Sequence, residues 1–104
     1  MTMDAEEAGY RKKVADFPGS PLTQFALGRY LLGKARFEEA IGPLEEANRL
    51  QADYAAAMVA LGDAYAGAQR TDEARAAYLR AREVAVAQGH PSLADEIDDR
   101  LANL

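Results

Sequence analysis

Apolar residues along this chain recur every three to four positions, which is the spacing of side chains on one face of an α-helix. The first segment has Tyr10, Val14 and Phe17 at this spacing, and four-residue steps recur in each later segment. Proline and glycine interrupt the pattern between segments, as expected for turns. We therefore predict six helices and no strands, which makes the protein all-α.

Local signals set the predicted helix ends. Ser20 before Pro21 is typical of an N-cap followed by a first helical turn, and Thr71 offers a capping hydroxyl for the fifth helix. Pro43 falls early in the third helix, where we expect a bend rather than a break. The predicted single domain, 1–104, consists of an N-terminal helix over 4–16, a first hairpin over 21–52, a second hairpin over 54–89 and a last helix over 92–103.

The central part of the chain contains one fourteen-residue pattern twice, over 27–40 and over 61–74. A fixed period of about 20 to 50 residues indicates stacked structural repeats. Six pairs of identical residues are each separated by 34 positions: Leu27/Leu61, Gly28/Gly62, Gly33/Gly67, Arg36/Arg70, Glu39/Glu73 and Ala40/Ala74.

Glycines at matching positions predict close packing between helices. A glycine inside a helix costs about 0.5–1 kcal/mol relative to alanine, so Gly28 and Gly62 indicate helices that approach each other closely. We assign Gly33 and Gly67 a packing role as well. Because one hairpin cannot bury both of its faces, neighbouring hairpins must stack to complete a core.

The pattern resembles the tetratricopeptide repeat family. In that family the first helix of each repeat carries a large residue, Leu-Gly and a further large residue. The second helix carries Ala, then an aromatic residue or Leu, and then Ala. The resemblance covers two full repeats from 21 to about 83, and Tyr10 and Pro18 fit the second helix of a preceding partial repeat. The matching residues are Leu27, Gly28, Leu31, Ala40, Leu44 and Ala47 in the first repeat, and Leu61, Gly62, Tyr65, Ala74, Tyr78 and Ala81 in the second.

Some positions depart from the family pattern. The turn between paired helices has Ala35 and Gln69 where the family has glycine, and glycine lies two residues earlier. The last helix resembles a cap that follows a two-residue insertion, with Asp98 at the position of the packing glycine. The resemblance implies an α-solenoid of two hairpins between an N-terminal helix and a C-terminal capping helix.

The resemblance also implies a concave groove, lined by the first helix of each hairpin, that receives a peptide or helix of another protein. Family members that clamp a C-terminal carboxylate use Lys and Asn in this groove, whereas Asp63 occupies one such position here. The acids at the cap end predict a basic residue in the partner. Carried over by position, the groove residues are Leu22, Phe25, Arg29, Leu32, Ala56, Val59, Asp63, Ala66, Asp95 and Asp99.

Two interpretations of this apolar face remain open. It binds a partner protein, which makes the chain an adaptor or scaffold, or it closes a homodimer in a structural self-assembly. Phe25, Leu22 and Val59 are alternatively covered by the N-terminal helix, and the acids of the cap are alternatively a solvated surface. The sequence is also compatible with a piece of a longer repeat array.

Composition narrows the classes of function. The net charge of −5 and the pI near 4.8 argue against nucleic acid and anionic membrane surfaces as partners. The absence of cysteine excludes thiolate chemistry, and His90 lies in a Gly-His-Pro turn. Adjacent acids such as Glu38 and Glu39 point about 100° apart on a helix and do not converge as a catalytic pair would. We predict a soluble cytoplasmic protein with no catalytic, cofactor or metal site.

Overall fold

A computed structural model describes residues 3–104, which form six α-helices and no strands in that range. This confirms the prediction of an all-α helical repeat. The two N-terminal residues lie outside the described part of the chain. The helices are α1 (Ala5–Asp16), α2 (Pro21–Gly33), α3 (Phe37–Leu50), α4 (Ala55–Gly67), α5 (Thr71–Ala87) and α6 (Pro91–Ala102).

Two helical hairpins form the centre of the structure. The most extensive helix contacts are within the pairs α2–α3 and α4–α5, and α3 joins the pairs by packing against α4. The first helix packs against α2, and the last helix packs against α5. The result is a stack of helices with principal extents of 38 × 26 × 19 Å.

The core lies between the paired helices, where glycine allows a large side chain to approach. A methyl group on Gly28 would lie 2.5 Å from Leu44 Cγ, and one on Gly62 would overlap the ring of Tyr78. Leu44 is fully buried, and Tyr78 is nearly so. The predicted packing role of Gly28 and Gly62 is therefore confirmed, and it explains why two glycines are tolerated inside helices.

Three local signals of the sequence can be compared with the helices of the structure. The Ser20 hydroxyl accepts a hydrogen bond from the Thr23 amide, so Ser20 is the N-cap of α2. The third helix continues through Pro43 without a break. The capping role predicted for Thr71 was wrong, because Arg70 is the N-cap residue and Thr71 is already helical, with no side-chain cap bond.

Three helices end in the same turn, in which one residue adopts a left-handed conformation. Ala35, Gln69 and Gly89 have φ angles of 57°, 63° and 72°. In each turn the following amide donates to the carbonyl five residues earlier, as from Arg36 to Leu31 at 3.0 Å and from Arg70 to Tyr65 at 2.8 Å. These bonds define a Schellman motif. The left-handed position is therefore retained although glycine is absent at two of the three sites.

The packing role predicted for Gly33 was wrong, whereas that of Gly67 is confirmed. A methyl group on Gly67 would overlap the ring of Phe37, but one on Gly33 would have no neighbour within 4 Å. Phe37 belongs to the hairpin that precedes Gly67. The residue at the matching position before Gly33 is Met3, which is 47% exposed.

Candidate functional site

The predicted groove begins on α2 with one exposed leucine and one packed aromatic ring. Leu22 is 67% exposed, the largest value among the exposed large apolar residues of the described chain. Phe25 packs against Tyr54 with ring centroids 5.0 Å apart, and the Arg29 guanidinium lies 5.6 Å from the Phe25 ring centre. Burial raises the pKa of Tyr54, which agrees with its position against this ring. Leu32 is half-buried.

The N-terminal helix makes its aromatic contact on another part of α2. Tyr10 packs against Tyr30 with ring centroids 5.1 Å apart, and Tyr30 donates a hydrogen bond to Asp4 at 2.7 Å. This bond is the main reason that the pKa of Tyr30 is raised to about 12. Phe25 is covered instead by Tyr54 and Arg29, which are not part of α1.

The predicted groove residues on α4 differ in exposure. Ala56 is exposed, Ala66 is half-buried, and Val59 is only 7% exposed and belongs to the core. Val59 thus has little surface left for a ligand. The exposed part of this face consists of small residues, so any ligand there would meet backbone and methyl groups.

Asp63 is engaged within the chain. Its carboxylate accepts a hydrogen bond from the Tyr78 hydroxyl at 2.5 Å and another from Arg100 Nε at 2.9 Å. Burial, followed by the hydrogen bond to Asp63, raises the pKa of Tyr78. The hydrogen bond to Asp63 also raises the pKa of Arg100. Arg100 is 37 residues away on α6, so nothing in the local sequence pointed to this pair.

The cap places its two predicted groove acids in different surroundings. Asp99 lines a cavity of about 360 Å³ together with Ala66 of α4, Arg100 of α6 and Asn103, which follows α6. Asp95 is exposed and does not line this cavity. The structure therefore brings Asp99, but not Asp95, next to a predicted groove residue of α4.

A second cavity, of about 530 Å³, lies where α4 and α6 begin. Ala56 is the only predicted groove residue in its lining, which otherwise includes Tyr54, His90, Pro91 and Leu93. The sequence identified the Gly-His-Pro stretch only as the end of a helix. The sequence did contain an indication of this cavity. The turn after the long α5 returns the chain toward the preceding hairpin, which places the start of α6 near the start of α4.

The described residues, 3–104, have neither a cluster of metal ligands nor a helix that could span a membrane. Within that range, no group of three or more His, Asp or Glu side chains could hold a metal ion. None of its helices combines the length and the apolar character that crossing a bilayer requires. His90 is exposed at the start of α6 and makes no side-chain cap bond.

Comparison with known proteins gives structural relatives only. No protein-family model matches the chain, and no curated protein matches it. The solution structure of a tetratricopeptide repeat domain protein from Salinibacter ruber is 29% identical, with a TM-score of 0.73 over 83% of this chain and 87% of that one. The solution structure of a protein from Bordetella parapertussis is 23% identical, with a TM-score of 0.82 over 97% of this chain and 88% of that one.

This chain has a tetratricopeptide-like fold. The relative from Salinibacter ruber carries that description, and the helix order, the 34-residue register and the packed glycines agree with it. Tetratricopeptide-like folds are typical of non-catalytic scaffolds and suggest protein partners in general.

Proposed function

We propose that this chain is a non-catalytic protein–protein interaction module that holds a peptide or helical segment of a partner along α2, α4 and α6. The observation that carries the proposal is the exposed Leu22 beside the half-buried Phe25 on the groove side of a tetratricopeptide-like fold. Interface energy concentrates in a few apolar and aromatic anchors. Leu22 and Phe25 are the anchors that we propose here.

Charge orients the proposed partner. Arg29 lies beside the anchors on α2, and Asp99 lies at the other end on α6. A partner segment with an acidic residue near Arg29 and a basic residue near Asp99 would match both ends. Asp63 contributes less to this charge pattern than the sequence suggested, because Arg100 already neutralises it.

Affinity capture from the source lysate tests the proposal with a matched pair of variants. Leu22→Glu changes an exposed groove leucine, whereas Val86→Glu changes a comparably exposed apolar residue on α5. We expect a partner that wild type and Val86→Glu retain and that Leu22→Glu loses. Circular dichroism should show all three proteins equally helical. Equal capture by both variants would contradict the proposed groove.

Charge reversal at one site tests the orientation. Asp99→Lys leaves the Asp63–Arg100 pair intact, so the fold is preserved while the cap end becomes basic. We expect the captured partner to bind about tenfold more weakly, which corresponds to about 1.4 kcal/mol. Unchanged affinity would remove the cap from the proposed binding surface.

The second candidate function is self-assembly through the same apolar face. It is favoured by Phe17 and Leu22, which are 61% and 67% exposed near the start of α2. Light scattering over a concentration series separates the two functions. A dimer that forms by mass action and is abolished by Leu22→Glu would favour self-assembly, and a monomer at all concentrations would exclude it.

A further inference from the structure

The first helix, α1, has the place of the second helix of a hairpin, but within residues 3–104 no first helix pairs with it. In the two complete hairpins, α3 packs against the preceding α2 and α5 packs against the preceding α4. The contacts of α1 are instead with α2, the helix that follows it. One face of α1 therefore has no helix at the place where each complete hairpin has one.

The 34-residue period identifies the centre of this unpaired face. Tyr10 lies 34 positions before Leu44, which in turn lies 34 positions before Tyr78. The side chains of Leu44 and Tyr78 pack over Gly28 and Gly62 of the paired helix and are almost inaccessible to solvent. Tyr10 is the matching residue of α1 and is only half-buried.

Two charged residues flank Tyr10 where the complete hairpins have alanine. Glu6 and Lys13 are exposed, and neither forms an ion pair within the described range 3–104. The matching residues of α3 and α5 are fully buried: Ala40, Ala47, Ala74 and Ala81. Alanine lets a paired helix approach closely, whereas glutamate and lysine keep it farther away. Another helix of the repeat therefore does not fit this face in the way that α2 fits α3.

Exposed apolar side chains lie at both ends of α1. Met3 precedes the helix and is 47% exposed, and Phe17 is its C-cap residue and is 61% exposed. The outer face at the end of a helical stack is expected to be polar, because it meets water. Large apolar residues at both ends of α1 favour a face that is covered in solution.

The order of these residues makes the face complementary to itself. Glu6 lies four positions before Tyr10 and Lys13 lies three positions after it, so the acid and the base are almost equally far from the tyrosine. If two copies of α1 lie antiparallel with a two-fold axis at Tyr10, Glu6 of each copy meets Lys13 of the other. The same arrangement brings Met3 of one copy toward Phe17 of the other. A two-fold interface requires a self-complementary surface of this kind.

We propose that α1 pairs with α1 of a second copy of this chain in an antiparallel two-fold dimer. Two Glu6–Lys13 ion pairs set the register of the two helices, and the Tyr10 side chains lie at the centre. Because each copy contributes one helix, the interface belongs with the small ones, below about 1,200 Å², and we expect a Kd of roughly 0.1 mM. The surface includes no residue of the proposed groove along α2, α4 and α6.

Sedimentation equilibrium of the full chain, at concentrations on both sides of about 0.1 mM, tests the dimer. Glu6→Lys and Lys13→Glu each turn both ion pairs into repulsive contacts, so we expect either variant alone to dimerise about tenfold more weakly. An equimolar mixture of the two variants should dimerise as wild type does. In the mixed dimer, the new lysine of one variant meets the new glutamate of the other.

Lys12→Glu is the matched control for these variants. Lys12 is also an exposed lysine of α1, but it pairs with Asp16 of its own helix and points about 100° away from Lys13. We expect Lys12→Glu to dimerise as wild type does, although it changes the net charge as Lys13→Glu does. Circular dichroism should show all variants as helical as wild type. The difference between wild type and the two interface variants should shrink at high salt, which screens exposed charges.

Four results would overturn the proposal. A wild-type chain that stays monomeric well above 0.1 mM would make the face of α1 a solvated end of the stack. A mixture of the two variants that stays monomeric would mean that Glu6 and Lys13 do not meet across the dimer. A dimer that Leu22→Glu abolishes and the charge variants leave intact would belong to the groove. A monomeric chain that captures another protein only with Glu6 and Lys13 intact would assign the face to that protein.

Discussion

Two junctions between helix pairs share a sequence register but are stabilised in different ways. At the internal junction, Phe37 of α3 packs over Gly67 of α4, where no larger residue would fit. At the N-terminal junction, the matching Gly33 has no neighbour, and Met3 at the matching position is 47% exposed. The contact between a ring and a glycine is thus present at the internal junction and missing from the N-terminal one.

The arginines that follow these glycines show the opposite difference. Arg36 pairs with Glu39 of its own helix and also reaches Glu7 of α1 at 2.6 Å, and Glu7 is only 5% exposed. Arg70 pairs with Glu73 in the same way, but its second partner, Glu38, is exposed at 3.3 Å. The preceding helix therefore decides whether a repeated arginine forms a buried or an exposed ion pair.

The largest expected effect is the loss of the buried pair. Arg36→Ala leaves the Glu7 carboxylate buried with Arg11 as its remaining partner, whereas Arg70→Ala removes exposed pairs, which contribute little. Both arginines occupy N-cap positions, so the cost of alanine at the cap cancels between the variants. We expect Arg36→Ala to lower the Tm by several degrees more than Arg70→Ala. Equal decreases would show that burial of Glu7 has no energetic consequence.

Alanine at Gly67 should destabilise the fold, whereas alanine at the matching Gly33 should not. Gly67→Ala forces a methyl group into the Phe37 ring, and overpacking of this kind lowers the free energy of unfolding by about 1–2 kcal/mol. Gly33→Ala meets no atom and should leave stability unchanged or raise it by up to about 0.5 kcal/mol. Urea denaturation of both variants measures the difference. A loss of stability in Gly33→Ala would contradict the open surroundings of that residue.

Glycine at the left-handed turns should stabilise the fold by a smaller amount. A left-handed residue other than glycine is disfavoured by about 1–2 kcal/mol. Glycine removes this penalty, but it also raises the entropy of the unfolded chain, which cancels part of the gain in stability. Ala35→Gly and Gln69→Gly should each raise the free energy of unfolding by about 0.5–1 kcal/mol. The reverse change, Gly89→Ala, should lower it by a similar amount, and thermal unfolding of the three variants gives the comparison.

The smallest expected effect is a dependence of thermal stability on pH in the acidic range. Hydrogen bonds from Arg36 and then Arg11 hold the pKa of Glu7 below its usual 4.5. A carboxyl group with a depressed folded pKa stabilises the fold above its unfolded pKa, and this contribution is lost as the pH falls through the folded pKa. The Tm difference between wild type and Glu7→Gln should therefore be constant above about pH 5 and shrink below pH 4.5. A difference that is independent of pH would contradict the charged pair.

Much of the fold could be predicted because helical periodicity and a repeat are local properties of a chain. The pairs of identical residues placed Gly28 and Gly62 correctly against large side chains of the next helix. Arg36 and Arg70 were also visible as identical residues, but their partners in the preceding helices were not. Glu7 and Glu38 are separated by 31 residues rather than 34, so the repeat gave no signal for them.

The candidate site was less predictable, because exposure depends on which side chains cover it. Phe25 and Asp63 stand in the sequence as an open anchor and a free acid. In the structure, Tyr54 and Arg29 cover the ring, and Arg100 and Tyr78 occupy the carboxylate. Asn48 likewise carries a buried side-chain amide without a hydrogen-bond partner in residues 3–104, and no feature of the sequence indicates this.

The sequence by itself determined the six helices, the 34-residue register and the close approach of helices at Gly28 and Gly62. These follow from spacing within a helix and from the identity of small residues, which no distant contact needs to supply. Only the tertiary structure decided which charged groups are paired, which of Gly33 and Gly67 is packed, and that the Asn48 amide has no partner within residues 3–104. These properties depend on the helix that happens to lie opposite, and the same repeated residue meets different neighbours at each step of the stack.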